Sequence, residues 1–260
     1  MPTFLFDSIV FGPVRSRRLG VSLGINLLPV NGKVCSFNCI YCECGWTTCG
    51  VASLKRLPSR IEVRDALRTK LAEMKEQGKQ PDVITYAGNG EPTLHPEFPG
   101  IIDDSIALRN EYFPAAKISV LSNGSNLRRK TVREALKKVD MNILKLDSAF
   151  PETVKRLNQP RGKYDPGSLI RNVRDFEGRF IIQSLFARGI YQGEIIDNAT
   201  PAEIDAWLAM IEKLKPQSVM VYTIERDTPL GNDLKKVPVH ELKAIAARVN
   251  ALGIPASVSG

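Results

Sequence analysis

Lys33-Val34-Cys35-Ser36-Phe37-Asn38-Cys39-Ile40-Tyr41-Cys42-Glu43-Cys44-Gly45 is the stretch around which the chain is organised. Three cysteines in it, Cys35, Cys39 and Cys42, have the spacing C-x3-C-x2-C. Cys44 and Cys49 follow, so all five cysteines of 260 residues lie in one short region. Clustered thiolates bind soft metals or iron–sulfur clusters. A closed [4Fe–4S] centre takes four cysteines, so three closely spaced thiolates leave one iron open. By analogy with zinc, an open coordination position marks a catalytic centre rather than a structural one. The structural alternative is an all-thiolate zinc knot built from Cys39, Cys42, Cys44 and Cys49.

Upstream, Leu19 to Leu28 reads as a glycine-interrupted strand, and Pro29-Val30-Asn31-Gly32 as the turn that leads into the cysteines. Before that strand, Arg15, Arg17 and Arg18 form a basic knot, either a solvated edge or an anion-contacting segment. Downstream, strands and helices alternate. Ser59-x-x-Glu62 is a capping box opening a helix through about Glu76, with Leu67, Leu71 and Met74 inward. Val83 to Tyr86, Ile118 to Leu121, Met141 to Leu146, Phe180 to Phe186, Val219 to Tyr222 and Ile254 to Val258 read as strands. Helices are expected at Phe98–Arg109, from a second box at Thr131-x-x-Glu134, at Pro151–Leu157 and Ser168–Phe176, from Thr200-Pro201-x-Glu203, and at His240–Val249.

About six strand–loop–helix units imply parallel strands with right-handed crossovers. Polar or glycine-rich residues end nearly every strand: Gly88-Asn89-Gly90-Glu91, Ser122-Asn123-Gly124, Asp147-Ser148, Arg188-Gly189 and Glu225-Arg226-Asp227. That edge carries the active site of an α/β barrel. The expected fold is α/β, a partial (β/α)6 TIM-like barrel with the cluster loop after the first strand. It forms one domain over residues 1–260, with 1–18 as an N-terminal extension.

The net charge of +8 is compatible with RNA or an anionic substrate. No apolar run reaches transmembrane length, and Met1 to Ile9 makes a poor signal peptide. Five cysteines, an odd number and too local for a disulfide framework, suit a reducing cytoplasm.

The C-x3-C-x2-C triplet with Tyr41 before its last cysteine resembles the signature of the radical S-adenosylmethionine (SAM) superfamily. The resemblance implies a [4Fe–4S] cluster on Cys35, Cys39 and Cys42, with SAM on the fourth iron. It also implies reductive cleavage of SAM to methionine and a 5′-deoxyadenosyl radical that abstracts a substrate hydrogen. Gly88-Asn89-Gly90-Glu91-Pro92 resembles the family segment that meets the ammonium end of SAM, and Ser122 and Asn123 stand where the family places a polar residue against it. Tyr41, Gly88, Asn89, Gly90, Glu91, Ser122 and Asn123 are therefore the cofactor-binding candidates. Asp147, Gln183 and Arg226 are the catalytic candidates: Asp147 for substrate or ribose, unless it forms a structural interior pair with Lys145 on the same strand face; Gln183 as cavity wall; and Arg226 for an acidic substrate or the SAM carboxylate, or else for an ion pair within Glu225-Arg226-Asp227.

A longer likeness runs through Phe11 to Gly20, Ser22 to Asn26, Cys35 to Glu43, Gly90 to Leu94, Lys145-Leu146-Asp147, Leu157 to Pro160 and Tyr222 to Arg226. It is to an Fe–S oxidoreductase group similar in its core to the tRNA wybutosine-synthesis enzymes. It implies an electron donor such as flavodoxin or ferredoxin, and a tRNA or protein substrate. The readings to separate are a SAM-cleaving enzyme acting on tRNA or another substrate, a glycyl-radical-enzyme activase acting on a protein, and a zinc-stabilised RNA-binding protein. The basic run Leu127 to Lys138 is either the outer face of a barrel helix or a phosphate-contacting stretch, and Arg128 and Arg129, in the loop before that helix on the catalytic edge, are its members best placed near a substrate. His95 and His240 have no neighbouring ligand pattern and are read as non-metal residues.

Overall fold

The computed structural model describes residues 4–16, 18–47 and 57–260; Arg17 and Cys49, both singled out above, lie outside the described residues. An eight-stranded sheet has the order β1-β2-β3-β4-β5-β6-β9-β11. Its strands are β1 (Val10–Ser16), β2 (Gly20–Ile25), β3 (Val83–Tyr86), β4 (Lys117–Ser122), β5 (Met141–Lys145), β6 (Ile181–Leu185), β9 (Ser218–Tyr222) and β11 (Ala256–Ser259). From β2 onward every neighbouring pair is parallel, and the sheet curls into a partial barrel. The crossovers are α1 (Arg60–Glu76), α2 (Phe98–Tyr112), α3 (Lys130–Leu136), α4 (Pro151–Leu157) with α5 (Ser168–Asn172), α6 (Pro201–Leu214) and α7 (Val239–Ala251).

Residues 10–16, read from the sequence as part of an extension, add the antiparallel edge strand β1. The cysteine loop thus follows the first parallel strand, β2. Gly24 explains how β1 packs. A Cβ there would lie 2.1 Å from the Phe11 ring, so the ring occupies the space of the missing side chain. Phe6 stacks on Phe11 at 3.6 Å and carries this aromatic cover toward the barrel mouth.

Local sequence signals account for most helix starts. The Ser59 box is complete: Ser59 Oγ accepts from Glu62 N, and the Glu62 carboxylate accepts from Ser59 N at 2.8 Å. Val63, Leu67, Leu71 and Met74 then face the sheet. The Thr131 box does not form. Helix α3 starts two residues earlier, at Lys130, with Arg129 as its cap and no side-chain capping bond, which places Thr131 inside the helix. Thr200 caps α6 as expected, accepting from Glu203 N at 3.3 Å. The Glu203 carboxylate turns inward instead, accepting from Ser148 Oγ at 2.6 Å and Thr153 Oγ1 at 2.5 Å, and so ties the loop after β5 and the helix α4 to α6.

Strand alternation separates core from cavity. Leu144 and Ile182 join the apolar layer under the helices, with Leu67, Phe98 and Trp207. Burying each such side chain contributes about 1.5–3 kcal/mol. Ile143, Lys145, Gln183 and Leu185 point the other way, into the barrel. A second sheet, β10-β7-β8, consists of β7 (Ala187–Tyr191), β8 (Glu194–Asp197) and β10 (Leu234–Lys236) and is antiparallel. Arg188-Gly189, read as a loop at a strand end, is part of β7. Among the described residues no helix is long and apolar enough to cross a membrane.

Candidate functional site

The cysteine loop is held on two sides. On one side, Val34 forms a parallel bridge with Gly90: Val34 N donates to Asn89 O at 2.8 Å, and Glu91 N donates to Val34 O at 3.1 Å. Gly90 has φ +140°, and a Cβ there would lie 1.7 Å from Val34 O, so only glycine permits this approach. On the other side, Phe37 bridges Pro160, with Asn38 N donating to Asn158 O at 3.0 Å, Ile40 N to Leu157 O at 3.0 Å and Arg161 N to Ser36 O at 2.9 Å.

Between these seams Cys35, Cys39, Cys42 and Cys44 are free thiols on the wall of one cavity of about 340 Å³. Their electrostatics differ. Cys42 is pulled down to about 5 by a hydrogen bond from Cys44, and the Lys33 ammonium helps against burial. The same pairing raises Cys44, as does burial. Burial also raises Cys35 and Cys39. The Cys44 thiol lies 3.3 Å from Gly88 O. Lys33 is 2% exposed and donates to Gly45 O at 2.8 Å. Burial opposes its charge, but the thiols of Cys42, Cys35 and Cys39 outweigh that cost and raise its pKa.

The cavity brings together most of the side chains expected to matter. Gly88, Gly90, Glu91, Ser122, Asn123, Tyr41, Gln183 and Arg226 all line it with the three cysteines. Glu91 is buried and fully engaged. It accepts from Thr93 N at 3.1 Å, Thr93 Oγ1 at 2.5 Å, Ser122 Oγ at 2.9 Å and Asn123 N at 2.7 Å. Burial raises its pKa, and these four bonds work against the rise. Glu91 therefore fixes the end of β4 to the glycine loop. Asn123 in turn donates to Ser36 Oγ at 2.9 Å and toward Cys35 Sγ at 3.6 Å. Arg226 pairs with Glu43 at 2.8 Å across the mouth.

Two expected residues are not brought to the cavity wall. Asn89 is fully buried, and its amide group donates to Phe6 O at 2.8 Å and Pro29 O at 2.9 Å. It clamps the N-terminal segment instead. The Asp147 side chain is also fully buried. Its carboxylate accepts from the Tyr41 hydroxyl, from Asn158 Nδ2 at 2.6 Å and from Leu185 N at 2.8 Å. Lys145 Nζ lies 3.4 Å from it and donates to Tyr222 Oη at 2.9 Å. Burial opposes the Lys145 charge, while Asp147, Tyr222 and Cys39 more than offset it and raise its pKa. Burial and the adjacent Asp147 push the Tyr41 hydroxyl well up, so it stays a donor.

Lys33, Tyr222 and Asn158 have no place in the site in the sequence reading; Lys145 has one, as an interior partner of Asp147, and that pair is present. Asn158 donates to Tyr41 Oη at 2.8 Å and toward Cys39 Sγ at 3.6 Å. It stands 119 residues from that cysteine, so spacing carries no signal of the contact. Only the likeness through Leu157 to Pro160 touched it. Lys33 adjoined the cysteine triplet in sequence, and a cation beside three thiolates was the signal for it.

The donor set fits an open cluster. Among the described residues no three Cys, His, Asp or Glu side chains converge on one ion. A tetrahedral zinc needs each sulfur within about 2.3 Å of one centre, whereas in an iron–sulfur cluster each thiolate takes its own iron. Three thiols spread round a cavity, a buried lysine as counter-charge and a glycine loop with no room for side chains fit a cluster with a small ligand beside it. The zinc alternative lacks this support, and its fourth ligand, Cys49, lies outside the described residues.

Comparison with known proteins agrees with this geometry. A protein of Brachyspira hyodysenteriae named GTPase Obg is 31% identical over 223 residues, covering 84% of this chain and 30% of that one. A UPF0026 protein of Helicobacter pylori is 31% identical over 222 residues, covering 84% of this chain and 67% of that one. The chain thus spans less than a third of the first relative and about two thirds of the second. In fold it is similar to a radical SAM methyltransferase from Sphaerobacter thermophilus, with a TM-score of 0.66 at 17% identity, covering 92% of this chain and 66% of that one. It is also similar to Streptococcus suis SuiB bound to S-adenosylmethionine (TM-score 0.62, 16% identity, 88% and 49% covered). A third similar structure is an archaeal TYW1 (TM-score 0.53, 12% identity, 88% and 71% covered). The family model described as the Radical SAM superfamily matches residues 32–181, more than half of the chain and all of the cysteine and glycine loops. This chain is a radical SAM enzyme, a member of that superfamily, whose cofactors are a [4Fe–4S] cluster and S-adenosylmethionine.

Proposed function

We propose that this enzyme abstracts a hydrogen atom from a substrate held in the barrel, with the cluster on Cys35, Cys39 and Cys42 and S-adenosylmethionine against Gly88, Gly90, Ser122 and Asn123. The observation that carries this is the Val34–Gly90 seam, which sets the thiols and the glycine loop on one cavity wall. When bound, the two groups supply one-electron cleavage of a carbon–sulfur bond and, from it, hydrogen abstraction. The chain's own residues prepare the place. The Cys44 hydrogen bond and the Lys33 ammonium lower Cys42, so it yields its proton to iron more readily than Cys35 and Cys39, which burial raises. Lys33 balances the thiolate charge. Leu121, Ile143 and Leu185 give the cavity apolar walls that exclude water. Gln183 and Arg226 face the space left for substrate, and Asp147 acts through Tyr41, whose ring it positions.

Anaerobic reconstitution tests the reading. About four irons per chain are expected, with methionine and 5′-deoxyadenosine released when a reductant is added, and no release from Cys39→Ser. One zinc per chain and no cleavage would overturn it. The reductant in the cell would be a one-electron carrier such as flavodoxin or ferredoxin, in a reducing cytoplasm that keeps these thiols free.

An RNA substrate is favoured by one further observation. Arg128 and Arg129 are exposed on the loop that begins at Asn123, and Ser125 of that loop lies 2.7 Å (Oγ to Oγ) from Ser36 of the cysteine loop. Binding of tRNA that weakens steeply with salt, and less steeply in the double Arg→Gln variant, is the expected result. Unchanged salt dependence would sink it. No comparable observation supports a protein glycine as the substrate.

A further inference from the structure

Four cationic side chains reach the cavity wall among the described residues: Arg18, Lys33, Lys145 and Arg226. Three have partners. Lys33 faces the cysteine thiols and Gly45 O, Lys145 lies between Asp147 and Tyr222, and Arg226 pairs with Glu43. Arg18 is different. Its guanidinium sits over the face of Tyr222, with Cζ 4.4 Å from the ring centroid. Its Nη1 is buried and has no hydrogen-bond partner among the described residues.

The turn between β1 and β2 explains how Arg18 comes to be there. Ser16 Oγ accepts from Arg18 N at 3.3 Å and Leu19 N at 3.2 Å, which bends the chain back at the edge of the sheet. Leu19 packs with Leu121, Met141, Ile143, Ile181 and Met220 in the barrel interior. Arg18 lies before the start of β2, whereas Tyr222 ends β9, so the side chain reaches along the barrel toward the catalytic edge. The cation–π contact with Tyr222 fixes the plane of the guanidinium without using any of its N–H donors.

A buried guanidinium donor without an acceptor is costly, and native proteins seldom leave one. Arg18 also lines the cavity proposed to hold the substrate. The matching chemistry is an oxyanion, because a guanidinium presents paired N–H groups to carboxylate or phosphate. We propose that Arg18 is a substrate-recognition residue that binds a carboxylate or phosphate group of the substrate, on a subsite separate from that of S-adenosylmethionine. The inference rests on the hydrogen-abstraction reading for its purpose. Its test does not, because anion binding is measured without turnover.

The test is calorimetric titration of the anaerobically reconstituted holoenzyme with inorganic phosphate and, separately, acetate, each with and without saturating S-adenosylmethionine. One of the two anions is expected to bind, and to keep its affinity when S-adenosylmethionine is present. Phosphate binding alone assigns a phosphate-bearing substrate; acetate binding alone assigns a carboxylate. Arg18→Gln is expected to weaken that anion by about tenfold or more while the affinity for S-adenosylmethionine is unchanged. Arg18→Lys keeps the charge without the paired donors and is expected to lose less. If Arg18→Gln does not fold, the lysine variant and the wild-type competition measurement still decide. Neither anion binding, equal anion affinity in the variants, or competition between the anion and S-adenosylmethionine would each overturn the proposal. The last result would assign Arg18 to the cofactor.

Discussion

The two seams that hold the cysteine loop end in the same contact but reach it by different physics. On the glycine side, Asn123 brings an amide donor to 3.6 Å from Cys35 Sγ; on the far side, Asn158 does the same for Cys39. Asn123 is positioned by backbone. The Gly90 bridge sets the glycine loop, and Glu91 beside it holds the Asn123 backbone by accepting from Asn123 N at 2.7 Å. Asn158 is positioned by a buried network of side chains, Tyr41, Asp147, Lys145 and Tyr222. One seam is set by steric exclusion and the other by charge compensation. They should therefore fail differently.

Gly90→Ala gives the largest expected effect. The added Cβ would lie 1.7 Å from Val34 O, and φ +140° is closed to alanine, so neither the residue nor its neighbour can yield. We expect the seam to part at a cost of about 3 kcal/mol or more, with most of the iron lost after anaerobic reconstitution. Retention of about four irons per chain would show that the cysteine loop does not depend on this bridge.

That seam was largely legible in the sequence, and the other was not. Glycines at Gly88 and Gly90 after a strand announce a close backbone approach, and the cysteine spacing points to what is approached. The Ser59 and Thr200 caps and the strand from Val83 to Tyr86 were legible for the same reason, since each is decided by residues within one turn or one short run. The Thr131 box failed because a cap pattern competes with the neighbouring turn, and Arg129 already closes it. The hairpin of β7 and β8 was hidden because its turn residues are Gln192 and Gly193, at φ +53° and +79°, and glutamine there is a weak turn signal. Asp147 looked like a cavity residue because alternation gives its strand face but not whether neighbours cover it. Tyr41, Asn158 and Lys145 do cover it, and Tyr41 comes from 106 residues away.

The charge-based seam is probed by Asp147→Ala. Removing the carboxylate leaves Lys145 buried beside Tyr222 without its counter-charge, and orphans donors from Tyr41, Asn158 and Leu185. Breaking a buried pair in this way costs about 3–5 kcal/mol, read as a lower denaturant midpoint with unchanged slope. Asp147→Asn should lose less, because its amide oxygen still accepts. Equal loss in both variants would mean that charge is not what this network supplies.

Lys33 tests whether the thiols sense a fixed charge from their own loop. Lys33→Met keeps most of the buried stem and removes the ammonium. Adding an electron to a cluster is harder without a nearby cation, so the midpoint potential of the reconstituted protein should fall by about 60 mV, equivalent to roughly 1.4 kcal/mol for one electron. Redox titration followed by electron paramagnetic resonance reads this directly. A shift below the error of the titration would mean that solvent or the second ligand screens the charge.

The smallest effect separates the seams by pH. His95 is 1% exposed and closes the turn after the glycine loop. Its Nδ1 accepts from Glu97 N at 3.1 Å, so Nε2 carries the proton and donates to Pro58 O at 2.8 Å. Burial lowers its pKa from 6.5, against the opposing effects of Pro58 O and Glu97. A histidine depressed in the fold contributes stability that is complete above 6.5 and is lost as pH falls through the folded value. Glu91, raised by burial, has the opposite sign. Its contribution is present at low pH and fades as pH rises past the usual carboxylate range, so it does not add to the acid loss. Stability measured by urea unfolding should therefore fall below pH 6.5 with a slope of at most about 1.4 kcal/mol per pH unit from this group. His95→Gln should flatten that slope while costing about 1 kcal/mol at pH 8. Asp147→Ala should leave the slope in place, because the network beyond Asn158 is built from a carboxylate, a lysine and tyrosines rather than a histidine. An acid slope that survives His95→Gln but disappears in Asp147→Ala would reverse the assignment and make the charge-based seam the one that titrates.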